Sequence, residues 1–296
     1  MELEVYSQIT ANKRKTIFIM SVFVLIIGAI GYAYGLYVGS FNSIYVILGF
    51  ATVYALISYF VSSKVALAVN GAKQISKSDN PRLYRIVENL SITTGLPMPK
   101  VYIMDDPAPN AFATGRDPNH ASVAATSGIL ELLDDNELEG VIAHEMGHIQ
   151  NYDIRVMMIV FACVSIIGLL SDFLLRIMWF GGRDDDEGGS PIAIILAVVL
   201  AILAPIVATI VQLAVSRNRE FLADASGALT TRYPEGLASA LKKIEGSGSV
   251  MRRQNSSTAH LFFANPLKKK SFAKLFSTHP PTEERIARLE KMGDQL

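Results

Sequence analysis

The chain has 296 residues, 50% of them hydrophobic and only 18% charged, and its 27 basic residues balance 27 acidic ones. That length allows one or two domains, the charge content falls below the roughly one quarter usual for soluble domains, and the lack of a basic excess argues against nucleic-acid binding. The single cysteine, Cys163, excludes an internal disulfide framework and reads as a small buried hydrophobe.

Residues 1–15 are polar and close on Lys13-Arg14-Lys15, after which no Asp, Glu, Lys or Arg occurs from Thr16 to Ser63. That run is long enough for two membrane spans of about 20 residues each. The Gly- and Ser-bearing stretch from Gly35 to Ser43 suits a turn between helices at about 16–36 and 43–63. A cleaved signal peptide fits poorly, because its apolar region would be too long and a second apolar stretch follows at once.

Soluble composition returns over 64–153. Asp79-Asn80-Pro81 predicts a helix start with Pro81 at the first helical position; Leu83, Ile86, Val87 and Leu90 continue it with helical period. Lys100–Met104 and Ala121–Thr126 read as short strands, and the Gly- and Pro-bearing stretch Asn110–Asn119 between them as irregular chain. Asp134-Asp135-Asn136-Glu137 places acids where a helix dipole favours them and leads into Val141-Ile142-Ala143-His144-Glu145-Met146-Gly147-His148-Ile149.

On a helix, residues four apart lie nearly one above the other. His144 and His148 can therefore aim both imidazoles at one Zn²⁺, with Glu145 beside them to touch a water on it. This is the H-E-x-x-H arrangement of zinc proteases. Neutral nitrogens hold the ion without cancelling its charge, and a carboxylate takes the proton of a water the metal has acidified. The same pattern arises in ordinary amphipathic helices with partly exposed histidines. Here the flanks Val141, Ile142, Ala143, Met146, Gly147 and Ile149 are all uncharged, and burying two imidazoles without partners is costly. His120 and His260 have no spacing partner and read as surface residues.

A second apolar pair follows. Val156–Ser171 is free of formal charge, and apolar character continues to Phe180 around Asp172 and Arg176, four apart and able to pair on a helix face. After the acidic, Gly-rich loop 181–190, Pro191–Val215 is again uncharged. Two more spans are the best reading; with a charged pair inside the first of them, a buried helical hairpin is the alternative. Lys13, Arg14, Lys15, Lys64, Lys73, Arg155, Arg217 and Arg219 flank the four segments, whereas the turns after the first and third hold only Arg183. The basic flanks share one side if both termini are cytoplasmic, which leaves 64–155 and 216–296 able to assemble into one domain.

Zinc on two histidines takes a third protein ligand and keeps one position open. The metzincin pattern needs Gly at 151 and His at 154, where the chain has Asn151 and Ile154. The best candidates lie just past the fourth segment. Glu220 and Asp224 are four apart, the first placed to coordinate and the second to accept the other ring N–H of a ligating histidine. A solvated acid pair near a helix start is the alternative. Residues 225–296 otherwise read as a small helical region, with a flexible break at Gly246-Ser247-Gly248-Ser249 and a polar, mobile stretch from Met251 to Thr258. Lys268-Lys269-Lys270 with Phe272 and Phe276 reads as a solvated basic patch, or one resting on anionic headgroups.

Four stretches together resemble the HtpX family of membrane zinc metalloproteases, relatives of the type I CAAX prenyl proteases. They are Asn110-Ala111-Phe112-Ala113-Thr114-Gly115, the His144–His148 block continuing to Asn151 and Asp153, Ser216–Asp224, and Thr278-His279-Pro280-Pro281 running into Arg285-Ile286. The resemblance covers nearly the whole chain. It implies His144, His148 and Glu220 as ligands of one Zn²⁺ per chain and Glu145 as the catalytic residue. Asn110, Ala111, Phe112 and Ala113 look like the family's edge strand, to which an extended substrate adds by main-chain hydrogen bonds; a plain surface loop is the alternative. His279 is a candidate for the oxyanion, as is Arg285, which alternatively braces the region.

The expected molecule is an α-helical membrane protein with four transmembrane helices and a cytoplasmic, mainly α (α+β, small sheet) gluzincin-type metalloprotease domain. Its expected parts are 1–63, a polar segment and transmembrane hairpin; 64–154, the first half of the protease domain; 155–215, the second hairpin; and 216–296, the second half. The resemblance implies cleavage of misfolded or damaged membrane proteins at a prokaryotic plasma membrane, with both termini and the active site cytoplasmic. Its partners are then polypeptide substrates and the lipid bilayer, with no nucleic acid. Prenyl-protein processing is a second enzyme reading, although it would want a larger membrane chamber. A non-catalytic, zinc-stabilised membrane scaffold or stress sensor is the reading from another class.

Overall fold

The computed structural model describes residues 2–38, 42–163, 165, 217–255, 257–266 and 280–294. The apolar segment 191–215, Asp172, Arg176, Lys268-Lys269-Lys270, Phe272, Phe276 and His279 lie outside the described residues. The chain opens with two long helices, α1 (Glu2–Val38) and α2 (Asn42–Val69). Both run past the apolar stretches expected at 16–36 and 43–63. Residues 2–15 contain neither Gly nor Pro, so no breaker stops α1 at its polar end. That end is tied down: Asn12 Nδ2 donates to Asn151 O (2.8 Å) and Asp153 Oδ1 (2.7 Å), and Lys13 Nζ lies 5.0 Å from the Tyr152 ring. Among the described residues no single helix is long and apolar enough to cross a membrane. One pair bent by 43°, Leu48–Tyr54 with Leu56–Val69, would do so by length and composition.

Four strands follow: β1 (Ala72–Gln74), β2 (Lys100–Met104), β3 (Ala111–Gly115) and β4 (Ala121–Thr126). They form one mixed sheet in the order β1-β2-β4-β3, with β2 and β4 parallel and the other pairs antiparallel. Side chains alternate across a sheet, and here both faces are covered. Val101, Ala111, Ala113, Val123 and Ala125 face the main helical core, while Met104, Phe112 and Ala124 pack with Ala66, Leu67, Met157, Met158 and Phe161. The stretch read as irregular thus holds a strand. Pairing with β4 and burial of all five residues decide its conformation, which so short a stretch could not set alone.

The helix start read at Asp79-Asn80-Pro81 is observed. In α3 (Pro81–Thr94) the Asn80 side chain accepts from Leu83 N–H at 2.9 Å, and Leu83, Ile86, Val87 and Leu90 are buried. A short helix α4 (Ser127–Leu132) leads to α5 (Asp135–Gln150), whose first turn is closed by a capping box between Asp134 and Glu137. After a helical run over 153–163, the description resumes with α6 (Arg217–Thr231), α7 (Pro234–Ser247) and α8 (Thr282–Gly293). The helix α5 is central, with α6 and α7 both packed on it. At Gly227 of α6 an added Cβ would stand 3.0 Å from His144 N, so only glycine lets the two backbones approach this closely.

Two expectations are corrected in the C-terminal half. The stretch read as mobile is held at its ends: Met251 is buried, Arg252 N–H donates to Asp106 Oδ2 (2.8 Å), and buried Thr258 hydrogen-bonds Asn70 Oδ1 (3.3 Å). His260 is buried, not at the surface, because Nε2 finds the main-chain oxygen of Met157 at 3.1 Å. His120 is exposed, as expected, and pairs with Asp117.

Candidate metal centre

The H-E-x-x-H segment sits on α5 and the Glu220–Asp224 pair on α6. The close crossing of the two helices brings them together. His144 Nε2 and His148 Nε2 are 3.1 Å apart, and the Glu220 carboxylate lies 3.9 Å from the first and 3.5 Å from the second. Three ligand atoms bound about 2.0–2.2 Å from a tetrahedral ion stand about 3.3 Å from one another, so the observed separations bracket what one ion requires. All three residues are buried.

Each imidazole is held from behind by a carboxylate. His144 Nδ1 lies 2.9 Å from Asp224 Oδ1, and His148 Nδ1 lies 2.9 Å from Asp153 Oδ2. Both rings therefore donate from Nδ1 and turn Nε2 to the common point, the arrangement that fixes a ligating histidine. Burial opposes charge on His148, but the Asp153 hydrogen bond and the negative charges of Glu220, Asp153 and Glu145 outweigh it and raise its pKa to about 9. The surroundings thus favour positive charge at the His148 imidazole. The donor set fits a divalent cation, and its nitrogen–oxygen mixture suits zinc.

A second layer fixes the two acids. Arg285 forks onto Asp224, Nε to Oδ2 at 2.8 Å and Nη2 to Oδ1 at 2.6 Å. Burial drives the Asp224 pKa up, but the Arg285 charge and the hydrogen bonds prevail and hold it below the ordinary carboxylate value. On the other side, Asp153 Oδ1 accepts from Asn12 Nδ2 (2.7 Å) and Arg219 Nη1 (3.2 Å). Asp153 and Arg219 stand inside stretches singled out in the sequence, yet helical spacing assigns neither a role.

Glu145 is buried beside the ligands, and its Oε2 accepts the Ala113 N–H of β3 at 2.7 Å. Burial raises its pKa; the two histidines oppose this, and the Glu220 charge adds to it. The edge-strand residues Asn110, Ala111, Phe112 and Ala113 therefore run directly past the centre. Of the residues singled out in sequence, the structure gathers His144, Glu145, His148, Glu220, Asp224 and Arg285 in one place, and the stretch Asn110–Ala113 reaches it at Ala113.

Comparison with known proteins agrees with this geometry. The model of peptidase family M48 matches residues 77–293. A protease HtpX homolog of Tropheryma whipplei (strain Twist) is 58% identical over 292 residues, covering 98% of this chain and 99% of its own length. One from Streptococcus gordonii is 44% identical over 295 residues, covering 97% and 99%. Among solved structures, S. mikatae Ste24p aligns with a TM-score of 0.52 over 97% of this chain and 67% of its own, at 18% identity, a likeness of fold alone. With the family model spanning most of the chain and such relatives matching nearly all of it, the chain belongs to peptidase family M48, among the HtpX-type metalloproteases.

Proposed function

We propose that this metalloprotease is a membrane-embedded zinc endopeptidase that cuts misfolded or damaged membrane proteins on the cytoplasmic side. The observation that carries the catalytic part is the meeting of His144 Nε2, His148 Nε2 and the Glu220 carboxylate around one point, with Glu145 alongside. His144, His148 and Glu220 hold the ion. Zn²⁺ held there would supply Lewis acidity for the scissile carbonyl and for acidifying a water, to a pKa of about 7. Asp224 and Asp153 keep both Nε2 atoms aimed at it. Glu145 takes the proton of the attacking water and passes it to the leaving amine. A carboxylate whose proton affinity is raised by burial suits both transfers. Arg285, with Nε and Nη2 both engaged on Asp224, acts as a positioning residue through Asp224 and His144. The oxyanion contact then falls to His279, on the strength of its motif.

The membrane part rests on the charge pattern and on the helical hairpin. Ile17, Phe18, Leu25 and Tyr32 of α1, and Tyr45, Val46, Phe50, Val53, Leu56, Ile57 and Phe60 of α2, are each more than half exposed. An outward apolar surface of this extent on paired helices is what lipid covers. The basic flanks favour four spans with both termini cytoplasmic. The test is purified protein in detergent, assayed for bound metal and for cleavage of casein. Wild type should carry one zinc and cut in a chelator-sensitive way, Glu145→Gln should keep zinc and lose nearly all cleavage, and Glu220→Ala should lose zinc. Retained turnover in Glu145→Gln, or full zinc in Glu220→Ala, would refute the assignment.

A further inference from the structure

The centre is shut. His144, Glu145, His148 and Glu220 are each 4% exposed or less, and every residue of β3 is buried. A polypeptide cannot reach them until something moves, and the covering element lies along β3. On one side β3 pairs with β4. On its other edge, Ala111 O accepts from Phe263 N–H at 2.8 Å. The Asn110 side chain clasps the next residue twice, donating to Ala264 O (2.8 Å) and accepting from Ala264 N–H (3.0 Å).

After the 3₁₀ turn Ala259–Leu261 the segment is bent chain rather than a regular strand, yet it lies against the sheet edge. Phe262 is extended, with φ −80° and ψ 145°. Its ring meets Phe112 at 5.0 Å, whereas the next ring, Phe263, stands edge-on to His144 at 5.1 Å with the Arg285 guanidinium 4.9 Å away. Successive side chains thus go to opposite faces, as on any strand. Main chain on the sheet edge and one side chain over the centre are the contacts that an extended ligand adding to a free edge would make.

We propose that Leu261–Ala264 holds the substrate's place on β3, so that a polypeptide binds only by displacing it, and that the substrate puts a bulky apolar side chain where Phe263 sits. This rests on the protease reading above. Displacement would leave Met251, Thr258 and His260 as buried anchors, with the chain exposed at Gly248, Ser249, Arg252, Arg253 and Gln254. Apparent affinity for substrate is lowered by the fraction of molecules with the edge open. Loosening the segment therefore tightens substrate binding, and fixing it abolishes binding.

The experiment reads binding apart from turnover, in zinc-loaded Glu145→Gln protein. The probe is a fluorescein-labelled peptide with the sequence of Ala259–Pro266, followed by anisotropy. Adding Phe263→Ala should tighten binding at least tenfold, and replacing the probe's second Phe by Asp should weaken it at least tenfold. A disulfide between Asn110→Cys and Ala264→Cys, in a Cys163→Ser background, should block binding until reduced. Equal binding in oxidised and reduced forms, or failure of the disulfide to form, would overturn the proposal. So would Phe263→Ala protein with full zinc and unimproved affinity, or a probe indifferent to the Asp replacement. If Phe263→Ala loses its zinc through misfolding, the cross-linked pair decides alone. Failure of wild type to cut casein would refute the protease reading instead, and leaves these binding results intact.

Discussion

Arg285→Leu separates two roles for this arginine. The guanidinium and the Asp224 carboxylate are both buried, with side chains 3% and 5% exposed, and are joined at 2.8 and 2.6 Å. Removing one partner of a buried pair costs about 3–5 kcal/mol, mostly because the other charge is left uncompensated. His144 still donates to Asp224 at 2.9 Å, which partly compensates the acid. The loss in stability should therefore lie near the low end, about 3 kcal/mol. A freed Asp224 also orients His144 less well, and a change of this kind costs about 10- to 100-fold in metal affinity, or roughly 1.4–2.7 kcal/mol. Chelator competition and thermal unfolding in detergent measure the two effects. In the double variant Asp224→Leu/Arg285→Leu, no buried charge is orphaned, so its destabilisation should fall well short of the sum of the single variants. Metal affinity within twofold of wild type, with casein cleavage down a hundredfold, would show that Arg285 acts on the reacting carbonyl instead.

Asp153→Asn keeps the shape but removes the charge shared by His148, Arg219 and Asn12, and should weaken metal binding about 10- to 100-fold in the same titration. Asn12→Leu leaves Asp153 its other two partners and should cost only about 1–3 kcal/mol in thermal unfolding. Gly227→Leu changes no ligand, yet its Cβ alone would meet His144 N at 3.0 Å; it should cost about 1–3 kcal/mol or more and lower metal content, and full metal content would show that α6 has room to spare. The Glu137 carboxylate, despite its burial, is held below the ordinary glutamate value by Lys243, Ser239 and the Asp134 N–H. A depressed folded pKa stabilises above the unfolded value and loses that contribution as pH falls. The wild-type advantage in melting temperature over Glu137→Gln should therefore be full at pH 7 and shrink below about pH 4.5.

What could be read from the sequence was local and periodic. The helix start at Asn80-Pro81, the acids leading into α5 and the His144–His148 and Glu220–Asp224 spacings are each local to a turn or so of helix, and each appears where the sequence puts it. Asp153 escaped for a geometric reason. Five residues past His148, it would lie on a different face of a continuing helix. The chain turns at Tyr152, a rare non-glycine residue with φ +61°, and that turn carries the acid back to His148 Nδ1. His260 was misjudged because its partner is a main-chain carbonyl, which no spacing rule can see. The strand β3 and the covering segment at Phe262–Phe263 owe their conformation to pairing across long sequence separations, so their own composition carries little sign of it.

The centre also ties the N-terminal helical hairpin to its chemistry. Asp153 gathers donors from α1 (Asn12), α6 (Arg219) and α5 (His148) on its two oxygens. Asn12 and the exposed apolar residues from Ile17 to Tyr32 belong to one continuous helix of 37 residues, and Ile19, Phe23 and Ile27 bury its inner face. The composition boundary at 63/64 is therefore crossed by contacts on which the His148 ring depends. Cutting the chain there would strip Asp153 of a buried partner and divide α2, whose Ala66 and Leu67 pack with Phe112 beneath the sheet. The hairpin is part of the scaffold that aims a metal ligand, and an account of the protease half has to begin at α1.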